Sequence, residues 1–444
     1  MGEKAPRRWY PTLMIVMCIR LVLEAAISFR AAPKAVHILF SHFAAVAAQA
    51  IPTYKTISRW LTQIGLYKLH SLQEQANDWA LIVDHSIQMG AQKCLVIIGM
   101  RLSKFQKGKA LTLEDMQPLI IELHDKSSAT TVCKALERAQ KKIGKAVMVC
   151  ADDGPDLRGG IELFCQKHGV GRVFDIVHKI GTFLKRILEK DAEWQAFSTA
   201  AAGAKKKMQQ TQAAHLAPPN QRTKSRFLNI DILVRWAIDI LMALETPNHP
   251  DKHLLDQYCG WIHKFKALIE RLKQLDFISQ KTRQYIREHG ICFRTGDLLE
   301  AMLETEMEPL EFNVEACEYA GTLIDFLREQ SKVVPFSQVW IGSSEIIETL
   351  FGKVKCLEQD QSKSGFTSLV LGAAACVGKV DANLVKQALT QIKTADVDAW
   401  TNEQIGPTLL SKRRQALSAW RKNKSTKNII QESTGTNLGE AVGF

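Results

Sequence analysis

The 444-residue sequence lacks the patterns that mark several classes of protein. Its ten cysteines are scattered without a CxxC pair, and among its twelve histidines the HxxxH spacing occurs once, at His249 and His253. The scattered cysteines argue against a disulfide scaffold and a zinc ribbon, and they favour a reducing, cytoplasmic compartment. The apolar segment 13–29 is interrupted by Arg20 and Glu24 and is followed by no small-residue cleavage site. We therefore expect a soluble protein with no membrane partner.

The charge is unevenly distributed along the chain. Overall, 58 Lys and Arg oppose 46 Asp and Glu, a formal charge of +12. Nine Lys or Arg oppose three Glu before residue 76, and the segments 204–226 and 411–428 hold six and seven basic residues with no acid. These three segments carry more positive charge than the whole chain, so the rest is net acidic. Such a distribution favours double-stranded DNA as the partner.

The first 75 residues have helical periodicity and predict a helical DNA-binding domain. After helices at 13–29 and 35–49, Thr53 is a suitable N-cap for a third helix over 54–64 that ends at Gly65. Apolar residues recur at Ile57, Leu61 and Ile64 and face inward, whereas Gln63 points outward. A helix-turn-helix fits this layout, and so does an ordinary three-helix bundle. In the first case the DNA-binding residues are Tyr54, Lys55, Ser58 and Arg59.

From residue 76 to 190 the pattern changes to that of an α/β domain. Short aliphatic runs predict strands at 79–83, 94–100, 118–123, 146–151 and 172–177, with a turn at 87–90 and helices at 127–143 and 155–168. The order begins with a hairpin and ends in parallel strands. This predicts a mixed five-stranded sheet with flanking helices.

The remaining chain is predicted to be mostly helical. Residues 191–335 form an all-helical insertion, with a basic linker at 204–226 and helices at 230–244, 252–275, 281–288, 295–306 and 312–330. Residues 336–395 return to the core with a helix at 343–357, and 396–444 form a basic tail. Further candidate DNA contacts are Lys205, Lys206, Lys207, Arg413 and Arg414.

Carboxylates stand at the ends of two predicted strands and on one late helix. Asp84 ends the first strand, and Asp152 and Asp153 follow the fourth. Neighbouring parallel strands bring their carboxyl ends to the same edge of a sheet, so these groups should converge. The late helix supplies Glu345 or Glu348. An Asp at a strand end is also a common turn or cap residue, and a helical Glu is common in surface ion pairs.

The order of elements and these residues resemble the DDE transposases and integrases of the ribonuclease H-like superfamily, over about 76–190 and 336–395. The resemblance implies a ribonuclease H-like α/β core and three catalytic, metal-binding acids, Asp84, Asp153 and Glu348. Asp153 is preferred because the family's second Asp is commonly followed by Gly. Glu348 is preferred because Lys355 follows it in the family's E-x6-K spacing, as a further catalytic residue.

The same resemblance implies the chemistry and the partners. Two Mg²⁺ ions, which Mn²⁺ can replace, would serve DNA strand cleavage and strand transfer. The expected protein is a transposase of an insertion sequence: it binds element ends and target DNA, assembles as a homodimer or higher oligomer, and is nucleoid-associated in a prokaryotic cytoplasm. A DNA-binding protein that has lost catalysis and a structure-specific nuclease are the alternatives.

The sequence departs from the pattern of related families at two positions. Ser344 and Ile341 stand where a Y-x2-R-x3-E-x6-K motif has Arg and Tyr, so no hairpin mechanism is assigned. His178 could position water or DNA, or be structural. Three tryptophans of the insertion could stack on an unpaired base or pack in a core: Trp194, Trp236 and Trp261.

Overall fold

The computed structural model describes residues 9–41, 51–89, 92–221, 227, 230–308, 311–359, 366–407 and 411–418. The strands are β1 (Ala76–Met89), β2 (Gln92–Arg101), β3 (Gln117–His124), β4 (Gly144–Ala151) and β5 (Gly171–Phe174). The helices up to the insertion are α1 (Thr12–Leu23), α2 (Ala31–Ser41), α3 (Tyr54–His70), α4 (Ala129–Ile143), α5 (Pro155–His168) and α6 (Ile176–Leu188). Those that follow are α7 (Ala192–Met208), α8 (Ile230–Glu245), α9 (Lys252–Cys259), α10 (Lys266–His289), α11 (Thr295–Met307), α12 (Val314–Ser331), α13 (Glu345–Gln359), α14 (Leu371–Cys376), α15 (Ala382–Gln391) and α16 (Thr394–Gln404).

The strands form the predicted mixed five-stranded sheet with flanking helices. Their order is β3-β2-β1-β4-β5. β1 pairs antiparallel with β2, as does β2 with β3, whereas β4 lies parallel to both β1 and β5. The uninterrupted apolar sequence of β4 is explained by its central position, since helices cover both faces of the sheet.

Alternate residues of the central strands enter two different cores. On one face, Leu81, Val83 and Val149 pack against α4 and α5. On the other face, Ile82 and Cys150 join a larger core that also contains residues of α1, α3, α13 and α14. Because successive side chains of a strand point to opposite faces of the sheet, the position of a residue in the strand determines which helices it contacts.

Helix α3 is longer and more buried than its sequence predicts. It runs to His70, so the prediction that it ends at Gly65 is wrong. Gly65 lies where α14 crosses α3: a Cβ added there would lie 2.0 Å from the Leu371 carbonyl oxygen. Gln63, predicted to be exposed, is buried, and its Nε2 donates to the Ile392 carbonyl at 2.6 Å. Close helix packing, and not helix termination, accounts for this glycine.

Other boundaries also differ from prediction. Residues 87–89 are part of β1 and not of a turn; residues 90 and 91 lie outside the described residues. β5 ends at Phe174 because the Asp175 side chain accepts from the Val177 N–H at 2.8 Å and starts α6. One helix, α10, spans the predicted break between residues 275 and 281.

The predicted basic linker and tail are only partly described. Residues 204–208 end α7 and are therefore not linker. Arg222, Lys224 and Arg226 lie outside the described residues, as does the tail beyond 418. No helix in the described ranges is long and apolar enough to cross a bilayer.

Aromatic side chains fill the interior of the helical insertion. Trp194 and Phe197 are fully buried. Trp236 and Trp261 stack with ring centroids 6.3 Å apart, and their indole nitrogens donate to the carbonyls of Leu216 and Tyr258. All three tryptophans thus have packing partners within the insertion.

The crossing of α3 and α14 gives a direct stability test. Gly65→Ala should destabilise the fold by about 2 kcal/mol or more, because the new methyl group collides with backbone. Gly203→Ala in α7 is the matched control, since nothing lies within 4 Å of its Cβ position. It should stabilise by about 0.5–1 kcal/mol through helix propensity. Urea unfolding of both variants checks this, and equal stabilities would contradict the packing at Gly65.

Candidate functional site

The parallel pairing of β1 and β4 sets Asp84 beside the end of β4. β1 continues to Met89, so Asp84 lies within this strand and the prediction that it ends the strand is wrong. Val83 lies opposite Ala151, the last residue of β4. Asp84 follows Val83, and Asp152 follows Ala151. Because side chains alternate along a strand, both aspartate side chains lie on the same face of the sheet as Ile82 and Cys150. Helix α13 packs on that face. The two aspartates are therefore set side by side below α13.

Asp84 is in an environment that disfavours its negative charge. Burial raises the pKa of this carboxyl to about 7, and the neighbouring carboxylates of Asp152 and Glu348 also raise it. The His85 backbone N–H, which donates to Oδ1 at 2.6 Å, and the His178 ring oppose this shift only in part. The carboxylates of Asp152 and Glu348 thus both lie close enough to act on Asp84.

Asp152, and not the preferred Asp153, is the second carboxylate of this group. Asp153 points to two cations: its Oδ1 lies 3.3 Å from Arg172 and its Oδ2 lies 3.0 Å from Lys179. Asp152 instead accepts from the Gly154 N–H at 3.0 Å and acts on Asp84 and His178. The alternation of side chains beyond a strand end could have favoured Asp152 from the sequence.

The first turn of α13 separates its two glutamates. Glu345 forms an ion pair with Arg287 at 3.0 Å. Glu348, whose side chain is 50% exposed, lies 3.9 Å from His178 Nε2. Partial burial raises the pKa of Glu348, and the charges of Asp175 and Glu345 raise it further against the opposing effect of His178. Of the two glutamates, Glu348 is the one that acts on Asp84.

A buried aspartate connects β5, α6 and α13. Asp175 is 1% exposed. Its carboxylate accepts from the Val177 N–H, from His178 Nδ1 at 2.8 Å and from the Ser344 hydroxyl. Ser344 immediately precedes α13 and ties the start of this helix to the end of β5.

His178 carries positive charge beside the carboxylates. Burial lowers the pKa of His178, but the hydrogen bond and charge of Asp175, together with Asp152 and Glu348, outweigh burial and raise the pKa to about 9. The sequence left open whether this histidine is structural or functional. Its location between Asp175 and Glu348 joins the buried aspartate to the candidate site.

A second polar network surrounds His85, the residue that follows Asp84 in β1. The ring of His85 lies between Ser127, 3.1 Å from its Nε2, and Asp156, 3.6 Å from its Nδ1. Lys93 also approaches Asp156 at 3.4 Å. The network ties β1 to the chain before α4 and to the first turn of α5. It therefore supports the backbone N–H that contacts Asp84.

The chemistry of this group fits a divalent cation. Carboxylate oxygens are the ligands that Mg²⁺ and Mn²⁺ prefer. The negative charges of Asp152 and Glu348 act on Asp84, so a cation at this place would reduce their repulsion. No three His, Cys, Asp or Glu side chains in the described part of the chain are close enough together to enclose an ion. The carboxylates have the required donor type, then, but are not arranged as a closed coordination shell.

A groove of about 520 Å³ reaches the candidate site at Glu348; Asp84 and Asp152 are not among its lining residues. Glu345 and Thr349 of α13 also line it, with Arg287 of α10 and Phe105 from the segment that connects β2 and β3. The groove is open to solvent.

The other predicted contacts lie at several places on the surface. Lys355 is exposed on α13, seven residues (about 700° of helix) after Glu348, and so on the same helix face. Tyr54, Lys55 and Arg59 are exposed and Ser58 is half-buried, but α3 is almost wholly buried from Trp60 to Leu69. Only the beginning of α3 can reach a large partner. The last turn of α7 and the segment 411–418 present Lys205 (half-buried), Lys206, Lys207, Arg413 and Arg414.

Comparisons with known proteins give one structural likeness to report. No protein-family model matches the sequence, and no curated protein matches it. The fold is similar to a solved structure described as the Drosophila P element transposase strand transfer complex. The identity is 12% and the TM-score 0.38, over 87% of this chain and 93% of that one. A likeness at this level carries no argument about function, which therefore has to rest on the geometry of the site.

The charge of Asp175 should control the protonation of His178. In metal-free buffer, Asp175→Asn should lower the pKa of His178 by more than about one pH unit. The variant lacks the negative charge that favours the protonated ring, while the burial that disfavours it remains. Ser344→Ala is the matched control: it removes one hydrogen bond to Asp175 but no charge, so the pKa should change much less. NMR titration of labelled histidines, with His178→Gln to assign the signal, measures this. Equal pKa values in wild type and Asp175→Asn would refute the connection.

Proposed function

We propose that the protein is a metal-dependent enzyme that cuts and joins DNA strands, a transposase with a ribonuclease H-like core. One observation carries the proposal. The carboxylates of Asp152 and Glu348 both act on Asp84, whereas the adjacent Asp153 and Glu345 form ion pairs with Arg or Lys. A group of carboxylates without a Lys or Arg partner, one of which lines an open groove, is suited to holding metal ions at a phosphodiester.

The architecture supports the proposal. The strand order 3-2-1-4-5, with β2 antiparallel, agrees with the arrangement that the sequence resemblance implies. The third acid follows a long helical segment and begins a helix packed on the sheet, also as implied. The resemblance preferred Asp153 as second acid, and the proposal replaces it with Asp152 for the reasons of register and pairing given above.

Each residue has a defined part in this chemistry. Asp84, Asp152 and Glu348 would hold two Mg²⁺ or Mn²⁺ ions, which when bound stabilise the attacking and leaving oxygens of an in-line displacement. His178 holds a proton beside Glu348 and balances negative charge there. Lys355, on the same helix face, would contact a phosphate. Water would be the nucleophile in cleavage and a DNA 3′-hydroxyl in joining.

DNA recognition and assembly complete the proposal. The exposed start of α3, with Tyr54, Lys55, Ser58 and Arg59, would contact the duplex, as would the basic end of α7 and Arg413 and Arg414. Two or more copies would act on the paired ends of an element. A nuclease with the same site would cut without joining, and a DNA-binding descendant without catalysis would do neither.

The two adjacent aspartates give the sharpest test. Asp152→Asn should reduce Mn²⁺- or Mg²⁺-dependent nicking of supercoiled plasmid at least about 100-fold, because a metal ligand is lost. It should also abolish the rise in melting temperature that the metal alone produces. Asp153→Asn, the matched control, should retain both properties within about threefold.

The outcomes separate the alternatives. Equal loss in both variants, or none in either, would contradict the assignment of Asp152. Joining of an oligonucleotide 3′ end to the plasmid favours the transposase, and nicking alone favours the nuclease. DNA binding without any metal-dependent nicking by the wild type favours the non-catalytic protein.

The two glutamates of α13 form a second matched pair. Glu348→Gln should lose nicking to the same extent as Asp152→Asn, since its carboxylate belongs to the same group. Glu345→Gln breaks only the exposed pair with Arg287, so nicking should stay within about threefold and stability within about 1 kcal/mol. Plasmid nicking and urea unfolding measure both effects, and a larger loss of nicking in Glu345→Gln than in Glu348→Gln would reverse the assignment.

A further inference from the structure

The first part of the segment that connects β2 and β3 is basic, whereas Glu114 and Asp115 lie in its last part. Residues 102–112, called the basic loop below, contain Lys104, Lys107 and Lys109 and no acidic residue. The basic loop is not evident from the net charge of the core, because the core as a whole is acidic. Lys107 and Lys109 are exposed, whereas Lys104 lies 3.3 Å from Glu74. Within the described residues, no acidic side chain forms an ion pair with Lys107 or Lys109.

The basic loop is anchored to α10. The backbone N–H of Gly108 donates to the Glu288 carbonyl at 2.7 Å. Gly108 has a φ of +80°, a left-handed conformation that glycine adopts without strain. Phe105 packs beside Gly290 at the end of the same helix, close enough to contact a Cβ placed there at 3.4 Å. Lys107 and Lys109 therefore flank a fixed point of the backbone.

The basic loop forms one wall of the groove that reaches the candidate site. Phe105, Ala110 and Leu111 line the groove on one side, and Glu345, Glu348 and Thr349 of α13 line it on another. In the sequence the two lysines lie between residues that line the groove, and they stand at its margin without lining it. Arg287, a cation that does line the groove, is paired with Glu345.

This arrangement addresses an electrostatic problem of the site. The carboxylates of the site repel a polyanion, and a DNA strand that approaches Glu348 needs positive charge near its path. Lysines on an anchored backbone, without acidic partners, supply such charge.

From this we propose that the basic loop is a DNA-backbone contact, in which Lys107 and Lys109 each bind a phosphate of the strand that lies in the groove beside Glu348. The proposal rests on the proposed function and adds the surface that delivers the strand. Phe105 forms the apolar floor of that path, and Gly108 fixes the spacing of the two lysines.

The experiment measures DNA binding in EDTA, so that metal and catalysis do not enter. The Lys107→Ala, Lys109→Ala double variant of the full chain should bind a fluorescent duplex about tenfold more weakly at 100 mM salt. The slope of log K against log salt should fall by about 1.8, since each lost phosphate contact removes about 0.9. Lys107→Arg with Lys109→Arg should restore both values, because the charge is kept.

A matched control removes the same charge elsewhere. Lys134 and Lys141 are exposed on α4, on the other face of the sheet. The Lys134→Ala, Lys141→Ala variant should keep the wild-type slope within about 0.5. An equal loss in the two double variants, or no loss in the first, would overturn the proposal. Circular dichroism establishes that all variants are folded.

The test also separates this inference from the proposed function. If Lys107→Ala, Lys109→Ala binds like the wild type while the wild type nicks DNA, the basic loop is not the contact and the function stands. If Asp84→Asn keeps wild-type binding but loses nicking, and the loop variant loses binding, both proposals hold. If the wild type neither binds nor nicks DNA, both are wrong.

Discussion

The backbone hydrogen bonds between β1 and β4 set the register on which the candidate site depends. Because Val83 lies opposite Ala151, the next residues on the two strands bring Asp84 beside Asp152. The same alternation turns both carboxylates to the face covered by α13 and leaves Asp153 to Arg172 and Lys179. A shift of one residue in β4 would turn Asp153, in place of Asp152, to the face covered by α13.

The position of Glu348 depends on a buried charge. Asp175 would be expensive to bury alone, but three donors, one of them a protonated histidine, compensate its charge. Because those donors belong to α6 and to the residue before α13, the compensation holds these elements at a fixed spacing from β5. The histidine that completes it also faces Glu348. The hydrogen-bonded group of Asp175, His178 and Ser344 thus contributes both to the stability of the fold and to the charge balance of the site.

Helix α3 shows how packing changes the meaning of a sequence pattern. Its periodicity marks a helix with one apolar face, but close contact with α14 and the segment at Ile392 buries most of its length. Polar residues such as Gln63 and Lys68 are accommodated because backbone carbonyls accept from them. Positive charge for a partner is therefore limited to the start of the helix, and the basic loop beside the groove gains importance.

The sequence by itself determined the order of the elements and the mixed sheet, because apolar periodicity and strand composition are local properties. It also offered Asp84 and the pair Glu345 and Glu348 as candidates. Only the tertiary structure shows that Asp153 pairs with Arg172 and Lys179 and that Glu345 pairs with Arg287, since such pairs join residues far apart in the chain. The extent of α3, the role of Gly65 and the closeness of the basic loop to the groove likewise depend on contacts between segments far apart in the chain. Local sequence pattern specifies the secondary structure of a segment, whereas tertiary packing specifies which other segments it contacts.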